Sequence, residues 1–169
     1  MADIQTTSEA ERNKARRLHA MLLFNLVVNH IFLFLMALTL IKYPILMVAT
    51  VVISLALLGY ILISAKRSLT SEPSWYVRCH WQFAAKRARL FLYLFLALGT
   101  LSLGLYYGGQ AMKMKEVMTW ALTGGLGLLP FMVAVLGLIV IEFDAEHQAK
   151  TGKVPASALA HYPPPAETA

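Results

Sequence analysis

The 169-residue chain is 58% hydrophobic and only 14% charged, and its mean hydropathy is +0.60. In soluble domains roughly a quarter of all residues are charged. The composition of this chain therefore excludes an ordinary soluble fold and indicates an integral membrane protein. The formal net charge of +6 does not indicate nucleic-acid binding, because the cations flank apolar segments, where membrane insertion places them. We therefore predict contact with membrane lipid and no nucleic-acid partner.

Four uninterrupted apolar segments are long enough for a helix to cross the hydrocarbon core, which takes about 20 residues. They cover residues 21–41, 44–65, 90–108 and 117–141. Their apolar residues are continuous, whereas a lipid-facing strand would alternate apolar and polar positions. A backbone inside lipid must also satisfy its own hydrogen bonds, which favours helices. The sequence therefore predicts an all-α protein with four transmembrane helices.

The distribution of cations predicts the orientation of these helices. Of the 15 Lys and Arg residues, only Lys42, Lys113 and Lys115 fall in the turns after the first and third spans. Positive residues are retained on the cytoplasmic side, so we predict a multi-pass protein of the inner (cytoplasmic) membrane with both termini cytoplasmic. The predicted segments are a basic cytoplasmic arm (1–20), a first transmembrane hairpin (21–65), a cytoplasmic loop (66–89), a second transmembrane hairpin (90–142) and a cytoplasmic proline-rich tail (143–169).

The cytoplasmic loop contains an amphipathic pattern immediately before the third span. Val77, Ala84 and Ala88 fall on one helical face, and cations fall on another. A helix with an apolar and a cationic face is typical of the headgroup layer of a membrane. The residues predicted to contact lipid headgroups or an acidic partner are Arg78, Trp81, Lys86, Arg87 and Arg89.

Cys79 is the only cysteine of the chain, and His80 follows it. A nucleophile and its base must face each other, but adjacent helical residues point about 100° apart. A single cysteine also excludes an intrachain disulfide and the paired cysteines of a typical structural zinc site. We therefore predict no catalytic residue and no metal, and a structural role for both side chains.

The outer halves of the third and fourth spans carry small residues four positions apart. These residues are Thr100, Gly104 and Gly108 on one span, and Thr123 and Gly127 on the other. Small residues let helix backbones approach closely in lipid, so we predict a tight antiparallel hairpin, with a dimer interface as the less favoured use of the glycines. At the cytoplasmic end of this hairpin, Arg89 and Glu142 reach similar depth and are expected to pair.

The first span is unusually polar. Asn25 and Asn29 lie four residues apart on one helical face, and His30 lies close to the centre of the bilayer. An ionisable residue inside a membrane is a candidate functional site, but Asn and His also form hydrogen bonds between helices. We predict helix or partner contact for all three, with Ser54 as a neighbour at similar depth. No cofactor is expected; the alternative is haem or quinone at His30.

No span carries a central Asp, Glu, Lys or Arg, and no phosphate-binding loop or hydrolase motif is present. We therefore predict a non-catalytic integral membrane subunit with an accessory, scaffold or assembly role. Its partners would be other subunits of a respiratory, photosynthetic or secretion assembly. The alternative is a homo-oligomeric channel or small transporter with a polar path at Asn25, Asn29 and His30. A third hypothesis is a redox protein that binds its cofactor through His30.

Overall fold

The structure is a computed structural model that describes residues 7–33, 35–36 and 44–163. Throughout these residues the regular structure is helical and contains no strand, which confirms the all-α prediction. The elements are α1 (Glu9–Phe24), a π-helical segment (Asn25–Leu33), α2 (Pro44–Ser71), α3 (Trp75–Ala111), α4 (Glu116–Leu122), a second π-helical segment (Thr123–Leu128), α5 (Leu129–Lys150) and the short α6 (Ala156–Leu159).

Three helices are long and apolar enough to cross a membrane. They comprise Ile45–Ser71, Trp75–Ala111 and Glu116–Lys150, and the last of these joins α4, the second π-helical segment and α5. These helices confirm the prediction of a membrane protein. The predicted first span (21–41) begins in α1 and continues through the first π-helical segment, but residues 34 and 37–41 lie outside the described part of the chain. The fourth crossing therefore stays a prediction.

The start of α1 is fixed by a capping box. The Glu11 backbone N–H donates to the Ser8 hydroxyl over 3.2 Å, and the Ser8 N–H donates to the Glu11 carboxylate over 3.0 Å. A hydrogen bond from the Ser74 side chain, followed by those from Ser8, lowers the pKa of Glu11 below its ordinary value. Ser74 is the N-cap of α3, so one carboxylate joins the first turns of α1 and α3.

The helix α3 runs continuously for 37 residues from Trp75 to Ala111. At 1.5 Å per residue it is about 55 Å long, well beyond the hydrocarbon core. Its predicted amphipathic stretch is therefore the first part of this helix rather than a separate element. Val77, Ala84 and Ala88 are fully buried inside the protein. The apolar face expected to enter lipid is covered instead by α1 and α5, which supply a competing apolar surface.

The helices α3 and α4–α5 form a hairpin whose closest approach involves two glycines. A Cβ at Gly109 would lie 2.7 Å from Thr119 Oγ1, and a Cβ at Gly127 would overlap Ser102. In contrast, within the described part of the chain no atom from another helix lies within 4 Å of the Cβ position of Gly104 or Gly108. The predicted contact surface of α3 is thus corrected: the hairpin packs on a different face, and the ridge at 100, 104 and 108 faces away.

Candidate functional site: two buried polar clusters

The first cluster joins α1, α3 and α5 near the Lys- and Arg-rich end of the helices. His19, His80 and Glu142 are each fully buried. His19 Nδ1 lies 2.6 Å from Glu142 Oε1, and His19 Nε2 lies 3.2 Å from His80 Nδ1. Arg87 Nη1 donates to Glu142 Oε2 over 2.8 Å. We call these four residues the histidine-glutamate cluster.

The position of Arg87 differs from the sequence-based expectation. Its guanidinium also donates to the Ile141 carbonyl and lies 4.1 Å from the centre of the Phe83 ring. Arg89, which was expected to pair with Glu142, is exposed and donates to the carbonyl of Ala85 at 3.4 Å. Two residues along a helix correspond to about 200°, so only one of these arginines can face α5.

The cluster also holds the turn that follows α5. His80 Nε2 lies 3.0 Å from the carbonyl oxygen of Lys153, so this nitrogen carries a hydrogen and donates it. Tyr76 donates its hydroxyl to the Ala149 carbonyl over 2.7 Å, and its ring packs against His80. The turn itself contains Gly152 at φ +77°, a left-handed conformation that favours glycine.

These contacts fix the direction of the hydrogen bonds. Because His80 donates from Nε2, a neutral His80 accepts at Nδ1 from the Nε2–H of His19. One further proton lies between His19 Nδ1 and Glu142 Oε1, and Arg87 balances the carboxylate. Every ring nitrogen of both histidines therefore has a partner. Within the described ranges, no group of three or more His, Cys, Asp or Glu side chains is arranged to hold a metal ion.

The second cluster lies between the first π-helical segment and α2. Asn25 donates to Ser54 Oγ over 3.1 Å, and His30 Nε2 lies 2.9 Å from the same oxygen. Asn29 donates to Asn25 Oδ1 over 3.1 Å and to the Thr50 carbonyl over 3.0 Å. All five side chains are buried. A π-helix bonds residue i to i+5, so residues four and five apart straddle one face, and this geometry turns all three polar side chains inward.

The His30 ring lies among three phenyl rings. The centres of Phe91, Phe95 and Phe131 are 4.9, 5.3 and 5.6 Å from the centre of the imidazole. His30 Nδ1 and Asn29 Oδ1 are buried and have no hydrogen-bond partner among the residues that the structure describes. The cluster therefore forms its hydrogen bonds with Ser54 and Thr50 of α2. Its opposite side packs against the aromatic rings of α3 and α5.

The predicted hairpin residues occupy three different environments. Thr100 and Gly104 are exposed, and Gly108 is half-buried. The Thr123 hydroxyl, at the start of the second π-helical segment, is buried and has no partner in the described part of the chain. Gly127 packs against Ser102. Of the three predicted glycines, only Gly127, in the second π-helical segment, therefore lies in the hairpin interface.

The residues predicted to meet headgroups also separate in the structure. Trp81 donates its indole N–H to the Lys14 carbonyl over 2.8 Å, and Arg87 belongs to the histidine-glutamate cluster. Arg78 is half-buried, and Lys86 and Arg89 are exposed. Three cations of the original set, Arg78, Lys86 and Arg89, thus remain available on the surface of α3.

Sequence reasoning missed the role of His19 and left His80 without partners. A signal for His19 exists, because it lies three and seven residues before Leu22 and Leu26, which share the buried face of its helix. A polar residue on such a face is expected to find a buried partner. The partner itself, Glu142, is 123 positions away in the sequence and follows only from the packing.

Together, the fold and composition define an all-helical protein with three helices able to cross a membrane. No protein-family model matches the chain, and neither a curated protein nor a solved structure matches it. The function must therefore be argued from the two clusters and from the surfaces that the chain leaves uncovered.

Proposed function

We propose that this chain is a non-catalytic subunit of a larger membrane complex, with an accessory or scaffold role. In this proposal it contacts a partner helix through the ridge formed by Thr100, Gly104 and Gly108 on α3. The observation that carries the proposal is that no helix of the described chain packs on this ridge. Thr100 and Gly104 are exposed, and among the described residues no atom outside the helix lies within 4 Å of the Cβ positions of the two glycines.

A ridge of small residues is useful in lipid only when another helix packs on it. Lipid tails are as apolar as leucine, so helices associate in membranes through close packing and interhelical hydrogen bonds rather than through hydrophobicity. The neighbouring helix α4–α5 meets α3 at Gly109 and beside Ser102, on a different face. A GxxxG pair that no segment of the described chain covers is thus suited to a helix from another subunit.

The intramembrane cluster supports this proposal over a homo-oligomeric channel. A path shared between copies would require Asn25, Asn29 and His30 to face outward or toward an open lumen. These side chains are 0%, 0% and 1% exposed, and they bond to Ser54 and Thr50 of the same chain. Hydrogen bonds of this kind hold helices together in lipid.

The surroundings of His30 give little support to a cofactor role. Its Nε2 is bonded to Ser54, and three phenyl rings pack against the imidazole. Its Nδ1 has no partner among the described residues, but a haem ligand must also leave room for the macrocycle beside it, and the phenyl rings occupy that space. The residues present fit a packed helix contact better than a haem or quinone site.

The proposal includes an inner-membrane location with the Lys- and Arg-rich end in the cytoplasm. Ion pairs from α1 tie that end together: Lys14 reaches Glu72 after α2, and Arg16 reaches Glu146 on α5. The basic arm, the loop after α2 and the end of α5 therefore share one end of the protein. A concentration of cations at one end is typical of the cytoplasmic side.

Affinity purification of the tagged protein from its own membranes, followed by mass spectrometry, tests the ridge. We expect the double variant Gly104→Leu/Gly108→Leu to insert and fold but to lose a stoichiometric partner, because the leucines hold the two helices apart. Gly137→Leu on α5 is the matched control, since that glycine is exposed and also has no neighbour within 4 Å. Retention of the partner by the double variant would contradict the assignment of the ridge.

A further inference from the structure

A cavity of about 290 Å³ opens beside the first turns of α3, separate from both polar clusters. Its walls come from the end of α2, the start of α3 and the segment that follows α6. They include Leu69, Trp75, Arg78, Gln82 and His161. The indole of Trp75 donates to the Pro163 carbonyl over 3.0 Å, which fixes the tail as one wall of the cavity.

Arg78 is the unusual member of this cavity. Its side chain is half-buried, yet its guanidinium forms neither an ion pair nor a hydrogen bond with any of the residues described. Two other half-buried arginines, Arg16 and Arg87, each face a glutamate, whereas Arg12 resembles Arg78 in having no ion pair among the described residues. A guanidinium has five N–H donors and is favoured near a planar or tetrahedral anion. Arg78 therefore lines the cavity with unused donors.

The cavity carries positive charge that no acidic side chain among its described lining residues neutralises. No Asp or Glu is among the described residues that line it. Lys86 Nζ lies 3.0 Å from Nε2 of His161, so a second cation reaches the tail wall from α3. The ammonium of Lys86 donates to this ring nitrogen, and the contact supplies no anion to compensate its charge.

The position along α2 puts the cavity at the depth of lipid headgroups. A span of about 20 residues that begins at Ile45 ends near Ala65, so Leu69 lies one helical turn beyond the hydrocarbon. Trp75 on the opposite wall is a residue type enriched at this interface. Free phosphate and acidic peptides would reach the site from water, whereas a lipid is already present at this depth.

We propose that this cavity binds the phosphate group of an anionic phospholipid, with Arg78 as the principal ligand and Lys86 as a second cation. The guanidinium fork binds phosphate oxygens in a bidentate manner, which a point charge does not. The volume suits one headgroup, and Leu69 adds an apolar side chain to the lining. This site is independent of the ridge on α3 that carries the proposed subunit contact.

Native mass spectrometry of the full-length protein in detergent tests the site. The protein is titrated with phosphatidylglycerol, with phosphatidylcholine as the zwitterionic lipid and with inorganic phosphate as a competitor. We expect a bound phosphatidylglycerol whose affinity falls about tenfold in Arg78→Gln, because a charge-assisted hydrogen-bond pair is lost. Arg67→Gln is the control, since Arg67 is an exposed cation two residues before Leu69 that does not line the cavity.

Each outcome bears on the proposal. Displacement of the lipid by millimolar phosphate would support the phosphate group as the recognised chemistry, and phosphate without effect would support the intact headgroup. Equal weakening by Arg78→Gln and Arg67→Gln would overturn the site, because it would reveal a general surface attraction. Equal affinity for the two lipids, or binding of an acidic peptide alone, would also overturn it.

A second variant keeps the test decisive if Arg78→Gln fails to fold. Arg78→Lys retains the charge but loses the fork, so the affinity for phosphatidylglycerol is expected to fall several-fold. An unchanged affinity in Arg78→Lys would contradict a role for the guanidinium.

Discussion

His19 is the residue on which the histidine-glutamate cluster depends, because its ring bridges Glu142 and His80. Both neighbours are fully buried, so each relies on protein atoms for its hydrogen bonds. A buried ion pair adds little net stability, but the loss of one partner leaves an uncompensated group and is costly. The cluster therefore holds α1, α3 and α5 together, and removal of any one of its side chains leaves a buried neighbour without one of its partners.

Replacement of His19 by leucine should destabilise the protein by about 3 kcal/mol, because Glu142 and His80 would both stay buried without this hydrogen-bond partner. Thermal unfolding of the purified protein in detergent measures this loss. His147→Leu is the control, because His147 lies on α5 but is exposed. A loss of the same size in both variants, or in neither, would refute the structural role of the cluster.

Ser54 has the corresponding position in the intramembrane cluster. Its hydroxyl oxygen contacts both Asn25 and His30 and thereby links α2 to the first π-helical segment. Ser54→Ala should cost about 1 to 3 kcal/mol, because two buried polar groups lose their partner. Unfolding measurements against Ser64→Ala, a serine on the same helix with no such contact, provide the comparison. Equal stability of the two variants would show that the cluster does not hold α2 in place.

Among the elements, the hairpin of α3 and α4–α5 depends on Gly127. A side chain there would overlap both the side chain and the backbone Cα of Ser102. Gly127→Val should therefore force the two helices apart and destabilise the protein by about 1 to 3 kcal/mol, the usual cost of overpacking. Gly125→Val is the control two residues earlier, where no neighbour lies within 4 Å. Unfolding curves that coincide for the two variants would count against this interface.

Element boundaries show where sequence reasoning was sufficient. The long apolar runs predicted α2, α3 and α4–α5, because 20 consecutive apolar residues in a membrane protein leave few alternatives to a helix. The length of α3 was not predictable from hydropathy. Its first 15 residues, 75–89, are polar on one face and continue the helix because α1 and α5 bury the other.

The contacts between elements were less predictable for a physical reason. Spacing of small residues identifies which helical faces allow close approach, but several faces of α3 qualify, and packing selects the one with Ser102 and Gly109. Likewise, Arg87 and Arg89 reach similar depth, and only the rotation of α3 decides which of them meets Glu142. The depth of a residue in the membrane follows from its position in the sequence. The direction in which its side chain points depends on how the whole helix is rotated, and the packing of all neighbouring helices sets that rotation.

For the molecule as a whole, the side chains that face outward along the spanning helices are mostly apolar, as lipid requires. Exposed examples on three helices are Val52, Tyr93 and Val133. The buried residues His19, His80, Glu142, Asn25, Asn29 and His30 lie inside the two clusters. An apolar outer surface with polar residues inside is the inverse of a soluble protein and fits a chain that is solvated by lipid.

The orientation of the whole molecule can be measured by cysteine labelling. Cys79 is buried and should give a low background in the folded protein. We expect Lys113→Cys, in the turn between α3 and α4, to react with a membrane-impermeant maleimide in intact cells, because the turn lies opposite the cation-rich end. Thr70→Cys should react only after permeabilisation. The reverse pattern would contradict the proposed cytoplasmic location of the cation-rich end.

The native mass of the protein tests the central claim most directly. The tagged chain is extracted from its own membranes in a mild detergent, and the mass and composition of the intact particle are determined. A particle with other polypeptides in fixed stoichiometry is the predicted result and would identify the complex. A particle that contains only this chain, 18.8 kDa as a monomer or a multiple of that mass, would contradict the claim that it is a subunit of a larger complex.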